Sequence, residues 1–323
     1  MIEVKNLTKT YGKHTALDHV SFKIRNRKIY GLLGPNGAGK STTMNIIAGC
    51  LAPTDGTVVI NGYDICDNPL DAKRQIGYLP EIPPLFPDAT PAEYLTFVAE
   101  AKGVKGEMVE RQVAEAMEIT GLTTVARRLI RNLSKGYQQR VGIAGALLGN
   151  PDIIILDEPL VGLDPKQIID IRHLIKKLGQ TKTVILSSHI LAEIENICDH
   201  IIIISGGKVV ADDAVEYLER SSNANQTITI TAKGDGKQAA KVLRGVATVE
   251  SVKIISESNG VAILEIISTS KEDLRDTIFF AMADARMAVL SMEQSEQTLE
   301  SVFMNLTGQG TTSDDDNDQE EDE

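Results

Sequence analysis

A glycine-rich run near the start of the chain limits the possible local fold more tightly than composition does. The run is Gly34-Pro35-Asn36-Gly37-Ala38-Gly39-Lys40-Ser41, with the spacing G-x-x-x-x-G-K-[ST]. It lies between an apolar run, residues 29–33, that predicts a central strand and a stretch, residues 40–48, with helical spacing. Glycines let such a loop curl with its N–H groups pointing inward, and a helix N-terminus adds about half a positive charge. The pattern predicts a phosphate-binding loop in which Lys40 reaches the β- and γ-phosphates, Ser41 binds Mg²⁺, and Thr42 belongs to the same binding set.

Two acids follow a second apolar run, residues 153–156. Asp157 and Glu158 would stand at the carboxyl end of a buried strand, where open α/β sheets place their ligands. Asp157 can hold Mg²⁺, often through water, and Glu158 can polarise the water that attacks the γ-phosphate. Alone, the pair also fits an acidic exit from a strand into a surface loop. The phosphate-binding loop favours the catalytic interpretation.

Charge and hydropathy disfavour a nucleic-acid partner, a membrane-spanning chain and a secreted protein. The net charge is −12, but the last ten residues carry eight acids, which leaves −4 for the rest. No basic excess supports a nucleic-acid partner, because such binding depends on Lys and Arg neutralising phosphates. No apolar run approaches the roughly 20 residues that span a bilayer, and the first residues lack the apolar core of a secretory signal. We therefore expect a cytoplasmic location.

The hydrophobic pattern predicts an α/β domain followed by a smaller α+β domain. Apolar and charged residues alternate near the start of the chain, which predicts antiparallel strands there. Helical spacing predicts helices at 191–197 and 271–283 and places Met108 on an apolar helix face. Short apolar strands alternate with helical stretches over residues 1–220, and a proline-rich segment followed by helical spacing predicts a helical subdomain at about 85–150. The polar residues 221–225 mark the boundary. Residues 226–307 have the order βαββαβ of a split βαβ, ferredoxin-like domain and end in an amphipathic helix at 298–306. The acidic residues 308–323 form a disordered tail in the simplest interpretation, or a regulatory or partner-binding arm.

A second helix start supports a family resemblance. Ser134 is a plausible N-cap in Leu133-Ser134-Lys135-Gly136-Tyr137-Gln138-Gln139-Arg140, and the helix that follows offers a second anion site. The run resembles the signature of ATP-binding cassette (ABC) ATPases, Leu-Ser-Gly-Gly-Gln followed by Gln-Gln-Arg, with Lys135 and Tyr137 as departures. The resemblance covers residues 1 to about 220 and rests on matches in order: Tyr11, the phosphate-binding loop, residues 76–81, the signature, the Asp157-Glu158 strand, residues 162–165 and residues 187–189.

The resemblance implies further site residues, each with a plainer alternative. Tyr11 would stack on adenine, or be a turn tyrosine beside a glycine. Asp164 would shape the contact between two nucleotide sites, or be part of a turn into the next helix. His189 would contact the γ-phosphate and help position the water, or cap the following helix.

Glu81 departs from the family pattern, which usually has glutamine there. An amide offers a donor and an acceptor, whereas an ionised carboxylate only accepts. Glu81 could bind Mg²⁺ or water as a modified sensor, or it could be a solvated loop acid.

The same resemblance implies a mechanism and partners. Two copies, arranged head to tail, would close on two ATP molecules, with Ser134 and Gly136 of one copy reaching the γ-phosphate held by Lys40 of the other. The homodimer would act on an integral membrane permease at the cytoplasmic face of the membrane. The helical insert and residues 80–91 would be the docking surface.

The C-terminal run, residues 297–307, resembles the Leu-Glu-Asp-Val-Phe ending of ATPase subunits of bacterial export-type or gliding-motility-type transporters, and Glu81 fits that subgroup. The expected function is therefore an ATP-hydrolysing subunit that powers export. Two alternatives remain at this point: a soluble ABC-type ATPase factor, and a non-catalytic ATP-binding regulator, suggested by Glu81 and the unusual signature.

Overall fold

The computed structural model describes residues 1–217, 226–268, 273–295 and 303. The chain forms two compact units, Met1–Val215 and Glu216–Glu323. The predicted domain limits, 1–220 and 226–307, remain predictions. The predicted linker at 221–225 and tail at 308–323 lie outside the described residues. So does the predicted helix at 298–306, except for Phe303, which is helical and buried.

An antiparallel sheet begins the first unit, as the alternating pattern predicted. Its strands are β1 (Ile2–Tyr11), β2 (His14–Ile24), β4 (Asp55–Ile60) and β5 (Tyr63–Asp64), in the spatial order β2-β1-β4-β5. Ile2 pairs with Ile24 on one side and with Ile60 on the other, and all three are buried. Tyr11 and His14 pair at the end of the β1–β2 hairpin.

A six-stranded sheet positions the acids and the glycine-rich loop. Its strands are β3 (Ile29–Leu33), β6 (Ile76–Leu79), β7 (Ile153–Leu156), β8 (Thr183–Ser188), β9 (His200–Ser205) and β10 (Lys208–Ala214), in the order β10-β9-β3-β8-β7-β6. All neighbours from β9 to β6 are parallel, and β10 is antiparallel to β9. β3, β7 and β8 are buried throughout, as their continuous apolar runs require. Because parallel strands end at one edge, the loops after β3, β6, β7 and β8 lie close together.

Four helices of the first unit connect these strands: α1 (Lys40–Ile47), α2 (Pro69–Arg74), α6 (Pro165–Gly179) and α7 (Leu191–Ile194). The prediction of a helix through residue 197 was wrong, since α7 ends at Ile194. Its chain continues as a turn in which the Ile197 and Cys198 N–H groups both donate to the Ile194 carbonyl. No helix of the described residues has both the length and the apolar character needed to cross a bilayer.

The helical insert consists of α3 (Pro91–Ala101), α4 (Gly106–Thr120), two short 3-10 turns (Thr123–Val125 and Ile130–Asn132) and α5 (Lys135–Leu147). Thr90 and Glu93 form a capping box that starts α3. One predicted core position was wrong: Met108 is exposed and Val109 is buried in its place. The inward face of α4 therefore follows Val109, Val113 and Ala116, at the i, i+4, i+7 spacing of one helix face.

The second unit has the predicted βαββαβ order. Its elements are β11 (Gln226–Lys233), α8 (Gly236–Leu243), β12 (Val249–Ser258), β13 (Val261–Ser268), α9 (Arg275–Asp284) and β14 (Val289–Ser295). The strands form one antiparallel sheet in the order β12-β13-β11-β14. Leu264 of β13 is buried in one core with Leu243 of α8 and Ile278 of α9. The α9 helix begins at Arg275, four residues after its predicted start.

Candidate nucleotide site

The glycine-rich run forms a tight loop between β3 and α1. Gly37 and Gly39 adopt φ values of 78° and 109°, the left-handed region that favours glycine. A Cβ atom on Gly34 would lie 2.2 Å from the Ile204 carbonyl oxygen, so the backbones of this loop and β9 can approach only without a side chain. The first turn of α1 carries no acid, which leaves the positive end of the helix free to attract an anion.

Lys40 is the buried cation of the site. Its Nζ donates to the carbonyl oxygens of Gly34 at 2.8 Å and Pro35 at 3.2 Å, and lies 3.7 Å from Glu158 Oε1. Burial lowers the pKa of Lys40, while the nearby carboxylates of Glu158 and Asp157 act in the opposite direction. A partly desolvated ammonium next to an open loop is well placed to bind a phosphate oxygen.

Asp157 and Ser41 form a small oxygen cluster beside Lys40. Ser41 Oγ donates to Asp157 Oδ1 at 3.3 Å, and the Asp157 N–H donates to the Leu79 carbonyl at 2.9 Å. Among the described residues, no group of three or more His, Cys, Asp or Glu side chains could hold a metal. One carboxylate and one hydroxyl suit Mg²⁺, which keeps several waters and takes further oxygens from substrate phosphates. The donor set therefore fits Mg²⁺ bound together with a nucleotide.

Glu158 has a strained backbone and a polar side-chain environment. Its φ is 47°, in the left-handed region that costs energy for any residue with a Cβ. Its carboxylate lies 3.1 and 3.2 Å from His189 Nδ1. His189 is not the cap of α7, which was the alternative to a catalytic role. The N-cap of α7 is Ile190, whose N–H donates to Ser188 Oγ at 3.0 Å.

These groups surround an open pocket of about 380 Å³. Ten predicted site residues line it: Tyr11, Asn36, Gly37, Gly39, Lys40, Ser41, Thr42, Glu81, Glu158 and His189. Three more lie in or behind the loop: Gly34 and Pro35, whose carbonyls accept from Lys40, and the buried Ala38. Asp157 is buried next to Ser41. The phosphate-loop and acid motifs and the family resemblance together predict these site residues, and the structure adds their geometry.

Tyr11 and Glu81 are two of the exposed residues of the pocket. Tyr11 is 49% exposed, and Lys9 Nζ lies 5.3 Å from the centroid of its ring. The Glu81 carboxylate acts electrostatically on Lys40 and forms part of the pocket wall. Both therefore face the space that a nucleotide would fill.

Ser134, Gly136 and Asp164 do not line this pocket. Ser134 is the N-cap of α5 and accepts from the Tyr137 N–H at 3.4 Å. Gly136 is buried, and a Cβ there would lie 2.7 Å from Gln167 Cδ. Asp164 is the N-cap of α6 and accepts from the Gln167 N–H at 2.8 Å, as its turn alternative required. The signature therefore packs against the start of α6 in its own copy.

Two sets of residues were missed as functional candidates. Ser187 contacts Asp157 and Glu158, although the sequence marked it only as part of a three-residue match. Tyr78 donates to Asn45 Oδ1 at 3.2 Å, and Asn45 Nδ2 donates to the Ser41 carbonyl at 2.8 Å, which links β6 to the end of the loop. Burial raises the pKa of Tyr78, so this hydroxyl stays protonated. No local motif signals either contact, because each joins distant segments.

A second cavity of about 490 Å³ lies beside the signature. It is lined by residues of the proline-rich segment and of α5 and its approach: Glu81, Ile82, Pro83, Leu85, Pro87, Ile130, Arg131, Lys135, Gln138, Gln139 and Val161. Ile82 is 83% exposed, which is unusual for an isoleucine without a covering partner.

A phosphate-binding loop on a largely parallel sheet, with a buried lysine and two acids at the end of a neighbouring strand, defines a nucleoside triphosphate hydrolase of the phosphate-loop class. Residues 17–161 match the model of the ABC transporter family. The linearmycin resistance ATP-binding protein LnrL of Bacillus subtilis (strain 168) is 34% identical over 313 residues, which cover 95% of this chain and 98% of that protein. The chain belongs to the ABC transporter family, and it is an ATP-binding and ATP-hydrolysing subunit of that family.

Two further similarities agree with this assignment. The bacitracin transport ATP-binding protein BcrA of Bacillus licheniformis is 32% identical over 313 residues, which cover 96% of this chain and 98% of that protein. A dimeric post-hydrolysis structure of the ATP-binding cassette MJ0796 bound to ADP and Pi is 32% identical, with a TM-score of 0.60. The similar region covers 67% of this chain and 99% of the MJ0796 chain. The non-catalytic alternative is therefore not supported.

Proposed function

We propose that two copies of this chain close head to tail on two molecules of MgATP and power export through a separate integral membrane subunit. One observation carries the proposal: the loop, Glu158 and His189 line one pocket, while Ser134 and Gly136 of the same copy lie outside it. A second copy would bring its signature to the open side of the pocket. Charged phosphate would then hold the two copies together, and hydrolysis would release them.

Each pocket residue has a role that follows from its chemistry. Lys40 and the loop N–H groups bind the β- and γ-phosphates, and Tyr11 stacks on adenine. Ser41 and Asp157 would hold Mg²⁺, with Glu81 as a further oxygen donor, and the bound ion would supply positive charge against the phosphates. Glu158 polarises the attacking water, and His189, within hydrogen-bond reach of Glu158, orients it towards the γ-phosphate.

The membrane subunit would dock on the helical insert and residues 80–91. The exposed side chains of Ile82, Phe86 and Phe97 support this surface, and so does the neighbouring 490 Å³ cavity. In that assembly the chain sits at the cytoplasmic face of the membrane. Export is supported by the relatives, which are named for linearmycin resistance and for bacitracin transport.

Purification tests the assembly. The tagged full-length chain should retain one integral membrane protein in mild detergent, and Ile82→Glu should release it while leaving nucleotide binding intact. Ile255→Glu is a matched control, because Ile255 is also exposed but lies on β12 of the second unit, outside the helical insert and residues 80–91. Retention of only soluble proteins would favour the soluble-factor alternative.

A further inference from the structure

Ser187 is a buried hydroxyl that touches both acids of the site. It lies near the end of β8 and is 0% exposed. Its Oγ donates to Asp157 Oδ1 at 2.6 Å and accepts from the Glu158 N–H at 2.7 Å. A serine hydroxyl has one proton and two lone pairs, so this arrangement leaves one lone pair unused. A single side chain thus connects the carboxylate of one acid to the backbone of the next.

Strand pairing explains the position of Ser187. Leu156 of β7 pairs with Leu186 of the parallel neighbour β8, so Ser187 stands beside the first residue after β7. Ser187 itself pairs with Leu32 on the other side, one residue before the end of β3. It is therefore held between the strand that delivers the acids and the strand that leads into the phosphate-binding loop. A side chain in such a position has little freedom to move.

Glu158 needs this support because its backbone is strained. A non-glycine residue at φ 47° is strained and persists only where its surroundings fix it. The Ser187 hydroxyl is the acceptor for the Glu158 N–H, and the Glu158 carbonyl accepts from the Val161 N–H at 3.3 Å. This left-handed turn points the carboxylate towards Lys40 and His189. Relaxation of the turn would redirect that carboxylate.

Asp157 depends on the same hydroxyl. Its Oδ1 accepts from Ser187 at 2.6 Å and from Ser41 at 3.3 Å. If Ser41 bound a metal ion in place of this contact, Ser187 would still hold the Asp157 carboxylate. The shorter contact is thus the one that does not have to be exchanged during nucleotide binding.

We propose that Ser187 is a positioning residue for hydrolysis, which fixes the strained turn at Glu158 and the orientation of the Asp157 carboxylate together. It acts through these two acids and does not contact the nucleotide. The inference rests on the proposed catalytic role of Glu158. Loss of the Ser187 hydroxyl should therefore lower turnover and leave nucleotide binding nearly unchanged.

The test compares Ser187→Ala and Ser187→Cys in the purified full-length chain. Both lose the hydroxyl: Ala leaves the space of the oxygen empty, whereas Cys fills it with a larger thiol that donates and accepts only weakly. A loss of turnover shared by the two variants therefore reports on the hydrogen bonds, because their effects on packing are opposite. We expect kcat for ATP to fall about 10- to 100-fold, as misplacement of a catalytic group does, with KM and the Kd of a fluorescent ATP analogue changed less than about threefold. The Mg²⁺ concentration for half-maximal activity should rise.

Thr183→Val is the matched control. Thr183 is a buried hydroxyl at the start of the same strand, and it accepts from the Arg27 N–H at 2.9 Å, far from the acids along β8. Its replacement should lower the melting temperature without lowering kcat by more than about twofold. The inference is wrong if Ser187→Cys keeps the wild-type kcat. It is also wrong if the Ser187 variants and Thr183→Val show the same loss of kcat for the same loss of melting temperature.

A double variant separates this inference from the proposed function. In a Glu158→Gln background, adding Ser187→Cys should lower the single-turnover rate by a smaller factor than it does in the wild-type background, because Glu158 is gone and only the contact with Asp157 is left to lose. A loss by the same factor in both backgrounds would show that Ser187 does not act through Glu158. If Glu158→Gln alone keeps wild-type turnover, the proposed role of Glu158 fails. If only the Ser187 variants behave as wild type, the inference alone fails.

Discussion

Gly77→Ala should displace the signature helix from the sheet. Gly77 lies in β6 under α5, and a Cβ atom there would be 2.0 Å from the Ala146 carbonyl oxygen and 2.8 Å from its carbonyl carbon. Ordinary contact begins at 3.4 Å, so one of the two backbones must move by about 1.4 Å. A backbone neighbour cannot rotate aside as a flexible side chain does. Such overpacking typically costs about 1–3 kcal/mol.

The displacement should lower both stability and turnover. For a unit of this size, 1 kcal/mol corresponds to about 2–4 °C, so the melting temperature should fall by roughly 2–12 °C. If α5 moves as a rigid body, Ser134 and Gly136 at its start move with it. We then expect ATP turnover per folded molecule to fall by about 10-fold or more, since a 1 Å misplacement can cost about 100-fold. Scanning fluorimetry and steady-state phosphate release measure the two effects.

Gly106→Ala is the control for loss of a glycine. Gly106 begins α4, and a Cβ there meets nothing within 4 Å. Alanine at this position should leave turnover unchanged and change stability by no more than about 1 kcal/mol, in the favourable direction. A Gly77→Ala variant that melts within 1 °C of wild type and hydrolyses ATP at the same rate would refute the close packing of α5 on β6.

Two further variants test separate parts of the structure. Tyr11→Ala should raise KM for ATP about 5- to 150-fold, because it removes a stacking energy of about 1–3 kcal/mol. Tyr11→Phe keeps the ring and should keep the wild-type KM. If steady-state kinetics give Tyr11→Ala the same KM as wild type, the turn alternative is supported. Lys102 Nζ donates to the carbonyls of Gly145, Ala146 and Leu148 at the end of α5, and burial lowers its pKa to about 8. In the unfolded chain the pKa of Lys102 has its ordinary value of 10.5, so between pH 8 and 10.5 the unfolded chain binds more protons than the folded chain. Lys102 therefore makes the free energy of unfolding rise with pH between these two values. Lys102→Met should unfold at lower urea concentration and lack that part of the rise. Parallel pH profiles for the two proteins would contradict the shift.

Local motifs predicted the site because its parts are set by short spacings. The glycine run must stand between a strand and a helix, and Asp157 and Glu158 must leave a buried strand at the same edge. That pattern needs no knowledge of distant contacts. The same holds for Ser134 as an N-cap, since a cap is a local property of the helix start.

The features that sequence could not give all depend on tertiary contacts. The role of Ser187 arises from the pairing of β7 with β8, and the need for glycine at position 77 arises from the approach of α5. Met108 is apolar at a permitted helical spacing, yet the packing of α4 turns Val109 inward. The early end of α7 likewise reflects its turn into β9. Periodicity alone cannot choose between such neighbouring registers.

The mass of the Glu158→Gln variant with and without ATP tests the central proposal most directly. Removal of the base should block hydrolysis while Lys40 and the loop still bind nucleotide, so the closed pair should accumulate. Light scattering should then give 35.0 kDa without nucleotide and twice that mass with MgATP, while Lys40→Ala should stay at the lower mass. A single-copy mass at saturating MgATP, with nucleotide binding verified in the same sample, would contradict the shared site.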